Sequence, residues 1–178
     1  MYSTEELKQV SHKHILSLLV KDEPGVMTRI SGMFLKRNFN ISTISVGQTT
    51  RQGISRINLS FHGDDRMYDQ IYKQLSKIID VLKVESLPEK KSVIREIALI
   101  KVRIANVNEQ NQVMNYCHTY RAKVLGINHE QMIVEVTGKP DKVDSFIALL
   151  NNLGIIEISR SGVIAMHREK DDFEKIDE

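Results

Sequence analysis

The chain, 178 residues long, repeats its pattern of strands and helices once, and a repeat of that length limits the fold more tightly than composition does. His14-Ile-Leu-Ser-Leu-Leu-Val20 reads as a strand, Asp22-Glu-Pro-Gly25 as a turn, and a helix runs on to about Asn38. Within that helix Met27, Ile30 and Phe34 recur at three and four residues, the spacing of one buried face. Pro24 suits its first position, where a missing N–H is no loss. Ile41-Ser-Thr-Ile-Ser-Val46 is a second β-rich run, followed by a turn at Gly53. Ile57, Leu59 and Phe61 then alternate with Arg56, Asn58, Ser60 and His62, the period of a half-buried strand. Asp64-Asp65 caps a second helix whose Met67, Ile71, Leu75 and Ile78 share a face. Val81-Leu-Lys-Val-Glu85 closes the unit ahead of Pro88.

The second half repeats the order. Glu96 to Ile104 reads as a strand, Val113, Cys117 and Tyr120 mark a helix, and Lys123 to Ile127 is a short strand. In Gln131 to Val136 the apolar Met132, Val134 and Val136 alternate, with Ile133 out of phase. Val143, Ile147 and Leu150 mark the last helix, and Ile155 to Ile158, extending toward Met166, the last strand. Pro88 to Val93 is a polar hinge without apolar periodicity. Two βαββαβ units make an α+β chain of two tandem ferredoxin-like domains, residues 14–88 and 94–166, with 1–13 and 167–178 as terminal extensions. Right-handed crossovers give each sheet the strand order 4-1-3-2 with both helices on one face.

In that order the second and fourth strands are sheet edges, which soluble proteins defend with charge, proline or short length. Lys83, Glu85 and Pro88 defend the fourth strand of the first domain. Its second strand, Ile41 to Thr49, carries neither charge nor proline. Pairing of two copies along this edge, as a two-fold dimer with one continuous sheet, accounts for it; cover by the chain's own second domain is the competing reading. The equivalent strand of the second domain, Lys123 to Glu130, is interrupted by Gly126 and flanked by charge, a poorer pairing edge.

The turn Asp22-Glu23-Pro24-Gly25-Val26 carries the strongest ligand signal. Backbone N–H groups of Gly25 and Val26 are expected as orphan donors at a helix N-terminus, which suits a carboxylate. Glycine lets a ligand approach the main chain, and Asp22 can accept from an ammonium. The two ends of a free α-amino acid are thereby matched. Asn40, just before the second strand, arrives from the neighbouring subunit in the dimer, and Val26, Ile30 and Ile41 form an apolar rim. A few charge-assisted hydrogen bonds and one small buried side chain, less the cost of association, give an affinity of about −8 to −4 kcal/mol, micromolar to millimolar. The competing reading leaves Asp22 only capping the helix and Gly25 only permitting a tight turn.

Leu18-Leu-Val-Lys-Asp-Glu-Pro-Gly-Val-Met-Thr-Arg-Ile30, with Phe34 and Asn38-Phe-Asn-Ile-Ser42, resembles the ACT domain, a ferredoxin-like amino-acid sensor. Together with Gln74 to Val84, Arg95 to Val102 and Ser159 to Val163, it resembles the small regulatory subunits of acetolactate synthase (acetohydroxyacid synthase). The likeness covers roughly residues 14–166 in order, as an N-terminal ACT domain, for effector binding and dimerisation, and a C-terminal ACT-like domain. It implies a non-catalytic chain that binds a large catalytic subunit, itself using thiamine diphosphate, Mg²⁺ and FAD to join pyruvate to a second 2-oxoacid. It implies that the chain raises that subunit's activity and confers feedback inhibition by valine in branched-chain amino acid biosynthesis. The family's effector contacts fall here on Asp22, Gly25, Val26, Asn40 and Ile41; some members carry Asn at the first. A free-standing ACT regulator of another enzyme is the alternative. The second domain's corresponding turn, Ala105 to Glu109, lacks Pro-Gly, which argues against a second ligand site.

Other chemistries find little support. A formal charge of +2 exerts no strong pull on nucleic acid. RNA-recognition modules share the βαββαβ order but need sheet-face aromatics, and here the third strand offers only Phe61 and the first none. Neither GxGxxG nor the Walker pattern occurs. His12 and His14 form a lone HxH pair, read as solvated or packed, and no metal site is expected on the chain. Cys117, the single cysteine, lies on an apolar helix face and reads as core, as do Met27 and Met67. No apolar run approaches the roughly 18 residues of a membrane span. Met1 to Lys8 has acids and no apolar stretch, unlike a signal or transit peptide. A soluble cytoplasmic protein with a frayed, mixed-charge tail from His167 to Glu178 is expected.

Overall fold

The computed structural model describes residues 11–169; the readings made above of Met1 to Lys8 and of most of the tail fall outside them. The described residues form two compact units, residues 11–92 with 166–169, and Val93–Ala165. In the first, β1 (His12–Lys21), α1 (Val26–Leu35), β2 (Thr43–Gln48), β3 (Ile54–Gly63), α2 (Asp65–Leu75) and β4 (Val81–Ser86) follow in the βαββαβ order. The sheet runs β2-β3-β1-β4, antiparallel throughout, which is the expected 4-1-3-2 order.

One core joins sheet to helices. Leu16, Leu18 and Val20 of β1 and Ile57, Leu59 and Phe61 of β3 meet Val26, Ile30, Met33 and Phe34 of α1 and Ile71 and Leu75 of α2. Each such side chain contributes about 1.5–3 kcal/mol on burial, so both helices are held on the same sheet face. Asp64 caps α2 as expected, its Oδ1 accepting from the Met67 N–H at 2.7 Å. The first helix departs from the reading. It starts at Val26 with Gly25 as its N-cap, so Pro24 lies two residues ahead of its first residue, and it ends at Leu35, three residues before Asn38 turns the chain at φ 54°. Met27 is 39% exposed, and Met33 fills the core position assigned to it.

The third strand is also more buried than alternation predicts. Asn58 and Ser60, on the face away from the helices, are buried, as are Ser17 and Leu19 of β1. Register aligns Ser45, Asn58, Ser17 and Glu85 into a polar row across all four strands of that face. Polar side chains there satisfy period-two alternation without marking solvent.

The second unit contains β5 (Ser92–Arg103), α3 (Val107–Tyr120), β6 (Lys123–Ile127), β7 (Gln131–Gly138), α4 (Pro140–Asn151), β8 (Ile155–Arg160) and β9 (Ile164–His167), the first residue of β5 and the last two of β9 lying in the first unit. Its sheet order is β6-β7-β5-β8, with β9 also pairing β5. Ala98, Ile100, Val102, Met132, Val134 and Val136 pack against Val113 and Cys117 of α3 and Val143, Phe146 and Leu150 of α4. The supposed polar hinge is a short 3-10 turn, Glu89–Lys91, after which β5 begins at Ser92, four residues before its expected start. Ser92, Ile94 and Glu96 alternate inward, so a buried serine and glutamate disguise a strand. The Glu96 side chain, 1% exposed, accepts two hydrogen bonds from the Arg160 guanidinium at 2.6 and 2.8 Å. Gly162, at φ 74°, separates β8 from β9. His167 is not frayed: it ends β9, with Nε2 3.0 Å from the Ser86 carbonyl oxygen and 3.2 Å from the Glu85 carboxylate.

Candidate functional site

The turn between β1 and α1 is built from main-chain donors. Gly25 holds φ 88°, a left-handed conformation that a β-carbon disfavours. No side chain caps α1, and no acidic residue occupies its first turn. The Val26 N–H, expected to be an orphan donor, is not one: the tight turn brings it 3.4 Å from the Glu23 carbonyl, and Asp22 N–H bonds to Gly53 O at 2.8 Å. None of the hydrogen bonds among the described residues takes the N–H of Gly25, Met27 or Thr28. These groups carry the positive end of the helix dipole into an exposed turn.

The site residues named from sequence distribute unevenly. Asp22 and Gly25 are exposed at the turn. The Val26 and Ile30 side chains are 3% and 0% exposed within the core, so neither forms a rim and Val26 offers only its main chain. Ile41 is partly buried against the same core, beside an exposed Asn40. Asp22 follows Lys21, which pairs with Ile54 at the start of β3; Asn40 precedes Thr43, which pairs with Ser60 near its end. Six residues of β3 separate those levels, about 20 Å at roughly 3.3 Å per residue. Within one chain no single amino acid can touch both. β2, at the sheet's edge, is the strand on which this separation bears: its Val46 is 54% exposed, and among the described residues it pairs only with β3.

One residue pair at the turn was not legible in the sequence. Arg29, one turn into α1, donates Nε–H to the Asp80 carboxylate just before β4. The Asp80 side chain is 7% exposed and that of Arg29 46%. Nη1 of Arg29 lies 3.2 Å from where a β-carbon on Gly25 would stand. A guanidinium therefore lies over the glycine at the uncapped helix end. Arg29 is four residues from Gly25, a spacing that places both on one helix face, but Asp80 is 51 residues from Arg29 and no local pattern links them.

The corresponding turn of the second unit is closed. Asn106 caps α3 by accepting from the Glu109 N–H at 3.0 Å, and Glu109 returns to accept from the Ala105 N–H at 2.8 Å. This reciprocal arrangement takes the N–H of the third residue of α3, the counterpart of the Thr28 N–H that α1 leaves open. Elsewhere His14 packs between the rings of Phe61 and Tyr68, with centroids 5.3 and 4.9 Å away, and its Nε2 lies 3.1 Å from Gly63 O. Burial pushes the Cys117 thiol up from its ordinary value and keeps it neutral. Among the described residues no three His, Cys, Asp or Glu side chains converge as metal ligands, and no helix is long and apolar enough to cross a membrane.

Comparison with known proteins follows the same division. Residues 16–83 match the family model described as the small-subunit-like ACT domain of acetohydroxyacid synthase, and residues 95–169 match that of the small subunit of acetolactate synthase. A protein named as a probable acetolactate synthase small subunit in Methanothermobacter thermautotrophicus is 41% identical over 155 residues, covering 87% of this chain and 92% of its own length. The acetolactate synthase small subunit of Mycolicibacterium smegmatis is 41% identical over 155 residues, with 87% and 91% covered. The crystal structure of the acetolactate synthase small subunit from Thermotoga maritima superposes with a TM-score of 0.82 at 37% identity, covering 90% of this chain and 99% of that one.

Proposed function

The chain belongs to the small-subunit family of acetolactate synthase, and on that footing we propose that it activates a large catalytic subunit and makes it inhibitable by valine. In this reading the chain contributes no catalytic group; thiamine diphosphate, Mg²⁺ and FAD belong to the partner. Residues 14–88 supply effector binding and dimerisation, and residues 94–166 form the companion domain.

The observation that carries the reading is the uncapped α1 terminus beside Asp22, at the sheet end remote from Asn40. An antiparallel β2–β2 junction across a two-fold axis removes the separation. The start of one β2 then lies beside the end of the other, and Gln48 at that end pairs with Ser55, next to the level of Lys21 and Ile54. The partner's Asn40 and Ile41 are thus carried toward this chain's Asp22–Val26 turn. The effector carboxylate takes the open Gly25 N–H and the Val26 N–H, the latter in place of its 3.4 Å bond to the Glu23 carbonyl, its ammonium takes Asp22, and Ile41 offers the apolar wall.

Ligand binding becomes regulation only if the effector binds the less active complex more tightly than the active one. The test is reconstitution with the large subunit from the same organism, followed by activity measurement with a panel of free amino acids. Stimulation by the small subunit together with inhibition selective for valine is the expected result. Stimulation without inhibition by any branched-chain amino acid removes the effector assignment, and failure to associate with the large subunit removes the whole reading.

A further inference from the structure

We infer that Arg29, aimed by the buried carboxylate of Asp80, is a specificity residue of the effector site that selects ligands bearing a free carboxylate. The inference rests on the effector reading above and names a residue that reading lacks. Three observations converge. The first turn of α1 carries main-chain donors and no acid, so the helix's own dipole favours an anion there. The Arg29 side chain is committed at Nε alone to Asp80, while Nη1 stands over Gly25. Asp80 sits before β4 with its side chain 7% exposed, so it fixes the guanidinium from inside the domain and leaves the terminal nitrogens facing the turn.

The arrangement assigns an orientation. An α-amino acid places its carboxylate between the α1 N–H groups and the Arg29 fork, and its ammonium toward Asp22. An amine of the same side chain keeps the ammonium contact and loses the guanidinium contact, and an amide keeps one neutral acceptor oxygen but loses the charge and the second oxygen that the guanidinium fork engages. Asp80 is a positioning residue: without it Arg29 keeps its charge but not its direction. Gly25 belongs to the same device, because a β-carbon there presses on Nη1 and an acidic side chain there places a carboxylate beside the guanidinium in the ligand's stead.

Titration calorimetry of the full-length chain with L-valine and with L-valinamide tests this. For the unmodified protein valine is expected to bind more tightly than valinamide. Arg29→Gln is expected to weaken valine about ten- to a hundredfold, the factor of one charge-assisted hydrogen bond, and to leave valinamide nearly unchanged. Asp22→Asn is expected to weaken both ligands together. Asp80→Asn is expected to lower the valine-to-valinamide ratio by a smaller factor, as an untethered guanidinium should. Because Arg29→Gln strands a buried carboxylate, the Arg29→Gln/Asp80→Asn pair serves as the second variant and should show the same selective loss with a restored melting temperature. Valine bound by Arg29→Gln as by the unmodified chain, or valine and valinamide weakened by one common factor, overturns the assignment while leaving the effector site intact. No binding of any branched-chain amino acid by the unmodified protein overturns the effector reading itself, and this inference with it.

Discussion

Asp22 and Asn40 stand at opposite ends of one four-stranded sheet, about 20 Å apart along β3. Residues so placed serve one small ligand only through a second copy of the chain.

Complementation between damaged chains checks this directly. Gly25→Asp and Asn40→Ala are each expected to abolish valine inhibition while stimulation of the catalytic subunit survives. Dimers assembled from one chain of each kind should regain one intact pocket, formed by the Gly25 of one and the Asn40 of the other. Calorimetry of the mixture should show binding that neither parent gives. A mixture as silent as its parents places both residues in the same half of the site.

The β2 edge offers a second test. Val46 is 54% exposed in the single chain, so Val46→Lys should change the stability of an isolated chain by only about 0.5 kcal/mol. Two lysines brought together across a β2–β2 junction repel. Sedimentation should show a shift from dimer to monomer and calorimetry a parallel loss of valine affinity. An unchanged dimer puts the junction elsewhere.

In the second domain Arg160 is the hinge of a small ion network, reaching Glu96 through two nitrogens and Asp144 through Nη1 at 2.8 Å. The Glu96 carboxylate, hydrogen-bonded to Arg160, raises the guanidinium's proton affinity further, with Asp144 adding to it. Arg160→Leu leaves a buried carboxylate without its cation and should cost about 2–4 kcal/mol in chemical unfolding, less than a fully buried pair because Arg160 is partly solvated. The double change Glu96→Gln/Arg160→Leu should recover part of that loss; no recovery assigns the cost to packing.

Cys117 predicts a reactivity and a pH dependence. Burial raises its thiol, so the folded chain favours the neutral form, and that contribution to stability is whole at neutral pH and lost as pH rises past the ordinary thiol range. A thiol-disulfide reagent at pH 8 should label the native chain slowly and the denatured chain fast. Equal rates in both states contradict a buried, neutral thiol.

The repeat and its periodicities were enough to obtain both sheet orders. Where reading failed, the residues explain why. Met27 sits in phase with Ile30 and Phe34 on a 3.6-residue wheel, but the helix begins at Val26, two residues later than Pro24 suggests, and Met33 takes the core position. Asn58, Ser60, Ser92 and Glu96 are buried polar residues, and a rule that equates polar with solvent-facing misplaces each of them. The Arg29–Asp80 pair joins residues 51 apart and exists only because the end of β1, from which α1 departs, lies beside the start of β4, where the Lys21 N–H bonds to the Asp80 carbonyl, a tertiary fact with no local signature.

The α3 cap has a consequence for how the molecule counts. Asn106 and Glu109 cap α3 where α1 has no side-chain cap, so the two halves of the duplication differ at the very place where the proposed effector would sit. On that proposed reading each polypeptide keeps one port, and any steepness in a dose–response curve comes from coupling among separate polypeptides.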